Sequence, residues 1–191
     1  MTVPSKADIN KREAKLKQFL KKLGEDGKPR EKDMLYVVRS AIRSAWMKSD
    51  VKLAYLYMNT IPDMDDSTRT KWLCKCEMCG KLFKLTDVEV DHKRGNHSII
   101  NLEHFQDYFN NILMVSFDDL QILCKKHCHA IKTHSERYNV SMEDARVEKE
   151  VIEIVKSKKD LTWLKDRGIV PAKNQKLRRQ QILEEIRNAN N

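Results

Sequence analysis

Apolar residues recur at helical spacing through the first third of the chain. Leu16, Phe19, Leu20 and Leu23 stand at i, i+3, i+4 and i+7, one face of a helix that Gly24 can end, and lysines occupy the other face. Residues 25–32 are polar, contain Gly27 and Pro29, and read as a loop. Leu35, Val38, Ala41, Ile42, Ala45 and Trp46 form a second helical stripe, and a short third helix is expected over residues 51–58, ending before Pro62. Residues 63–70 read as a polar connection.

The period then changes. Residues 72–75 read as extended, 76–80 as a tight knuckle, and 88–92 and 120–124 as two short strands. Between those strands Asn101 can cap a helix whose face carries Phe105, Tyr108, Phe109, Ile112 and Leu113. Trp46, Trp72 and the set of Phe105, Tyr108 and Phe109 are expected in the core rather than as base-stacking platforms. A helix begins near His127. Ser141 with Asp144 is spaced as a capping box for the next helix, whose face is Ala145, Ile152 and Val155. Residues 160–168 predict a short turn of helix closed by Gly168. After Pro171, Asn174 can cap a final helix bearing Lys176, Arg178 and Arg179, weakly amphipathic and expected to be solvated. The expected fold class is α+β and mainly helical, with a small core of two strands and a helix. Three regions follow: basic helices over 1–70, the core over 71–140, and C-terminal helices over 141–191.

A chain of 191 residues supports one or two domains. Its net charge of +9 favours a polyanionic partner, and nucleic acid is the usual one. The basic residues are spread along the chain instead of gathering beside an apolar anchor, which argues against a membrane surface. No apolar stretch resembles a signal peptide or approaches the roughly 18 residues of a membrane span. A cytoplasmic protein is therefore expected, in a compartment that keeps thiols reduced, so that cysteines point to metal before disulfides. All five cysteines and all six histidines lie between residues 74 and 134, which places the chemistry in the middle third.

Cys76-Glu-Met-Cys79 followed by Gly80 is a two-thiolate knuckle, whose spacing lets both sulfurs reach one ion at about 2.3 Å. The second pair lies in Cys124-Lys-Lys-His-Cys-His, as Cys124 with either Cys128 or His127. Either choice completes a tetrahedral structural zinc site with no open position for catalysis. Cys74 is too close to Cys76 for ordinary chelation and reads as a half-buried strand residue.

Val88-Glu-Val-Asp-His92 ends a strand in an acid and an imidazole. Leu120-Gln-Ile-Leu-Cys124, the Cys128-His129 step and Lys132-Thr133 follow downstream. Over roughly residues 35–150 this combination resembles the HNH endonucleases of the ββα-metal (His-Me finger) group, in their zinc-stapled, phage-encoded form. The resemblance implies a metal-dependent DNA endonuclease that hydrolyses phosphodiester bonds and leaves 5′-phosphate and 3′-hydroxyl ends. His92 matches the general base; Asp91 and His129 match the ligands of a catalytic Mg²⁺ or other divalent cation. Taking Cys128 as the fourth zinc ligand leaves His129 at the matching position, and Cys128 is preferred over His127 for that reason. Asp119 stands where the family has an Asn that orients the base. A carboxylate can accept from an imidazole N–H but cannot donate as an amide does; Asn96 and Asn101 are candidate substitutes. The spacing of Cys124 and Cys128 is one residue longer than the family's usual gap.

Lys93, Arg94, Lys125, Lys126 and Lys132 flank these elements and are candidates to hold DNA phosphates. His97 and His104 read as loop or surface residues, with His97 near enough in sequence to His92 to line its site; His134 reads as a solvent or packing residue. The family analogy extends to an accessory role beside a phage terminase in the host cytoplasm. The rival class is a zinc-ribbon protein that binds nucleic acid without cutting it, which would leave the Asp91-His92 pair without a purpose.

Overall fold

Helical and alternating patterns both translate into the architecture. The computed structural model, which describes residues 3–95 and 97–190, is α+β and mainly helical. By its contacts the chain divides into two units, Met1–Ala54 with His97–Asp118, and Tyr55–Asn96 with Asp119–Asn191. The helical insertion between the two core strands thus groups with the N-terminal helices, and the division does not follow the polar breaks near residues 70 and 140.

In the first unit, α1 (Lys6–Leu20) starts at Ser5, whose hydroxyl accepts the Asp8 N–H while the Asp8 carboxylate returns to the Ser5 backbone. Its apolar face is not buried: Leu16, Phe19 and Leu20 are all exposed. An amphipathic pattern specifies a helix without specifying what covers it. Helix α2 (Glu31–Trp46) buries Leu35, Ile42 and Trp46, three residues of the predicted stripe, whereas Ala41 and Ala45 stay exposed. Helix α3 (Asp50–Met58) follows, and the Lys52 ammonium lies 5.6 Å from the Trp46 ring centroid.

Helix α4 (Phe105–Leu113) packs against α2 and buries Tyr108 and Ile112. Asn101 caps the 3₁₀ turn Leu102–His104 in front of it, accepting the His104 N–H at 3.2 Å. Two arginines of α2 reach across: Arg39 donates to the Ile99 carbonyl at 2.7 Å and Arg43 to the Tyr108 hydroxyl at 3.2 Å. Phe105, expected in the core, is exposed although it shares the helical face of Tyr108 and Ile112; it stands on the first turn of α4, with its ring stacked on that of Phe109.

In the second unit, β1 (Thr60–Pro62), β2 (Trp72–Lys75) and β3 (Leu82–Lys84) form an antiparallel sheet in that order. Strands β1 and β3 are three residues each, too short for an alternation to announce them. Cys74, in the middle of β2, is fully buried rather than half-buried, while Trp72 at the strand's start is exposed, contrary to its expected core position. Strands β4 (Val88–His92) and β5 (Leu120–Cys124) have the predicted bounds and pair antiparallel, Val90 opposite Ile122 and His92 opposite Leu120.

A π-helical turn (Lys125–His129) leads from β5 into α5 (Ala130–Tyr138). Helix α6 (Met142–Lys156) begins at Ser141, which accepts the Asp144 N–H at 3.0 Å. Its fully buried residues are Ala145, Val147 and Val151; Ile152 and Val155 of the predicted face are only partly covered. Helix α7 (Asp160–Lys165) is followed by Gly168 at φ +72°, a left-handed conformation that glycine adopts without strain. Helix α8 (Gln175–Asn190), capped by Asn174, is not the solvated helix its weak amphipathicity predicts. Ile182 and Ile186 bury themselves against Val147, Val151 and Leu164. Arg178 pairs with the Asp160 carboxylate at 2.7 Å, with both side chains largely shielded.

Candidate metal centre and catalytic site

Two knuckles make the first site. The N–H of Gly80, itself at φ +71°, donates to the Cys76 carbonyl and closes the turn that aims Cys76 and Cys79 the same way. The second pair comes from the end of β5 and the π-helical turn, where the Cys128 N–H donates to the Cys124 sulfur at 3.3 Å. The π-helical turn carries the three residues that separate these two cysteines. The sulfurs of Cys76, Cys79, Cys124 and Cys128 lie within 4.8 Å of one another. Tetrahedral coordination at about 2.3 Å places sulfurs about 3.8 Å apart, so these four could hold a metal ion such as zinc. Cys128, not the exposed His127, completes the group.

The local electrostatics suit thiolates unevenly. Burial pushes the Cys76 thiol up, but N–H groups of Cys79, Cys124 and Met78 outweigh it and bring it down to about 7. Burial, then the neighbouring sulfurs, push Cys128 far up in the absence of a cation. Cys74, raised by burial alone, is not among the clustered sulfurs.

Glu77, inside the first knuckle, does work that spacing does not reveal. Its N–H donates to the Ile122 carbonyl at 2.9 Å, and its carboxylate accepts the Ile122 N–H at 2.7 Å. Tyr55 places its hydroxyl 3.0 Å from the same carboxylate oxygen and 3.1 Å from the Leu120 carbonyl. The knuckle is thereby docked on the outer edge of β5, which would otherwise offer unpaired backbone groups.

The second site lies on the same hairpin. Successive strand residues point to opposite faces, so Asp91 and His92 diverge from the end of β4. The half-buried Asp91 carboxylate sits beside α5: its Oδ1 is 3.8 Å from His129 Nε2, and its Oδ2 is 2.9 Å from Lys132 Nζ. Gln121, opposite Asp91 on β5, has its amide nitrogen 3.5 Å from the same Oδ2. His92 is buried, and its carbonyl accepts Lys132 Nζ at 2.8 Å. Asp119 arrives at the same end of the hairpin, where its carbonyl accepts the Lys93 N–H at 2.7 Å and its side chain is exposed.

Lys132 departs most from expectation. Instead of reaching solvent as a phosphate contact, it is buried, with its ammonium shared among Asp91, the His92 carbonyl and Glu136 Oε1 at 2.5 Å. It follows His129 by three positions, nearly one helical turn, and so shares its face of α5. Lys93, Arg94 and Lys126 are exposed; Lys125 is exposed too and donates to the Thr86 carbonyl at 2.8 Å. His134 packs on the Tyr138 ring and pairs with Glu148 at 2.7 Å. His97 is half-buried and His104 exposed, both in the first unit. Asn101 serves as the cap described above, and Asn96 lies outside the described residues.

Two ligand atoms each about 2.1 Å from a Mg²⁺ can stand up to about 4.2 Å apart, and the Asp91–His129 separation falls inside that reach. A carboxylate oxygen and an imidazole nitrogen are also suitable donors for a divalent ion with open positions. No family model, curated protein or solved structure matches the chain. Among the described residues no helix is long and apolar enough to cross a membrane.

Proposed function

We propose that the protein is a metal-dependent DNA endonuclease of the HNH type, with a structural zinc ion on its four cysteines. The observation that carries the reading is the approach of Asp91 Oδ1 to His129 Nε2, 3.8 Å, from two distant stretches of chain. A divalent cation held there supplies charge neutralisation at a scissile phosphate and at the departing 3′ oxygen. Asp91 and His129 hold that cation. His92, on the adjacent position of β4, takes a proton from the attacking water, a task for which an imidazole is suited near neutral pH. Asp119, which stands where the family has its orienting Asn, accepts from that imidazole and stabilises its charged form. Lys93, Arg94 and Lys126 present cations at the surface for the DNA backbone, in keeping with the net charge of +9.

Two observations favour the rival reading of a zinc-stapled nucleic-acid binder that does not cut: Asp91 already has a cationic partner in Lys132, and the buried His92, one strand position on, faces the other side of the β4–β5 pair. Incubating supercoiled plasmid with the purified protein and Mg²⁺ or Mn²⁺ separates the two. The wild type is expected to give relaxed or linear DNA, whereas His92→Ala and Asp91→Ala bind DNA without cutting. Cutting by both variants at the wild-type rate would remove the assigned site, and DNA binding without cleavage by the wild type would favour the binder.

A further inference from the structure

A carboxylate has two oxygens, and those of Asp91 stand in different surroundings. Oδ1 faces the His129 imidazole, while Oδ2 is taken by the Lys132 ammonium at 2.9 Å with the Gln121 amide nearby. An ammonium has three N–H donors and no acceptor. Here three acceptors surround it: Asp91 Oδ2, Glu136 Oε1 and the His92 carbonyl. Lys132 is buried, so these contacts act where water does not screen them well. Its anchor is also confined: the Glu136 carboxylate lies over Gly95, in space that a β-carbon at that position would occupy. The ammonium is therefore held on several sides and is no mobile surface charge.

We infer that Lys132 is a positioning residue that reserves Oδ2 of Asp91 and leaves Oδ1 as the single oxygen available, with His129, to a divalent cation. The inference rests on the catalytic reading of Asp91 and His129. With Lys132 in place, the cluster of Asp91, Glu136 and Lys132 carries one net negative charge; without it, two. The ammonium thus weakens cation binding while fixing which oxygen does the binding. A loosely held ion with open positions serves a site in which a substrate phosphate must complete the coordination. The same bond to the His92 carbonyl ties the end of β4 to α5, so that Asp91 and His129 keep their spacing.

The test measures Mn²⁺ binding to the zinc-loaded full chain by the loss of the free-ion electron paramagnetic resonance signal, beside plasmid cleavage. Lys132→Met is expected to bind Mn²⁺ about tenfold more tightly, because a like charge has left the site, and yet to cut more slowly. Lys132→Arg, which keeps the charge, should bind Mn²⁺ as the wild type does. A variant that had merely lost its fold would lose both properties, and its far-ultraviolet circular dichroism and zinc content would report it. Unchanged or weaker Mn²⁺ binding in folded Lys132→Met overturns the inference. Wild-type Mn²⁺ affinity in both Asp91→Ala and His129→Ala would instead overturn the metal site on which it rests.

Discussion

Replacing Cys128 with serine removes one sulfur from the four-cysteine group while leaving volume and backbone nearly unchanged. The apolar core around that group is slight. Leu123 is its one fully buried aliphatic side chain, and Phe83 covers it in part. Burying the first fully and the second in part contributes about 2–4 kcal/mol. A structural zinc ion on such ligands would bind with about 10–16 kcal/mol and so would dominate the local balance. If one thiolate in four carries a proportionate share, its loss costs about 3 kcal/mol, and for a chain of this size roughly 2–4 °C of Tm per kcal/mol gives a fall of about 10 °C. The assay is zinc per chain after dialysis, with thermal unfolding followed by circular dichroism. Wild type and His127→Ala should retain close to one equivalent; Cys128→Ser should lose zinc and melt earlier. A Cys128→Ser protein with full zinc and unchanged Tm, beside a zinc-poor His127→Ala, would refute the ligand assignment.

Ile182→Ala, at a fully buried position, should destabilise the protein by about 2–5 kcal/mol in urea unfolding if α8 is docked, and a change near zero would mean that it is not. Arg178→Met strips the Asp160 carboxylate of its charged partner and should cost about 2 kcal/mol at pH 7. The side-chain hydrogen bond and charge of Arg178 hold Asp160 below the usual carboxylate range, so this stabilisation is present above the ordinary Asp pKa and fades as pH falls through the lowered one. Asp160→Asn should flatten that acid-side loss in a stability-against-pH series; an unaltered slope would exclude the pair as its source. Glu77→Ala removes the acceptor for the Ile122 N–H and should cost about 1.5–3 kcal/mol while zinc binding persists, as measured by unfolding and metal content together.

Much of the fold is legible from local rules. Both core strands were bounded by alternation and by the residues that interrupt it, and Asn101, Ser141 and Asn174 cap where their side chains permit. The cysteine spacing named the clustered sulfurs down to one alternative. Trp72 and Phe105 show where the same rules stop: their hydrophobicity is a property of the residue, but burial depends on what lies opposite. Ile182 and Ile186 show the converse, two apolar positions in a polar helix that become core because α6 and α7 offer a matching surface.

By itself, then, the order of residues determined helices, the two paired strands, the thiol knuckles and the list of imidazoles and carboxylates, because these follow from periods and spacings within a few residues. The choice of Cys128 over His127, the role of Glu77 and the burial of Lys132 were decided only by tertiary structure. Each depends on a contact between segments tens of residues apart or on the direction in which a turn points its side chains. A lysine a few residues after a cysteine knuckle looks like any surface cation until folding surrounds its ammonium with Asp91, Glu136 and the His92 carbonyl.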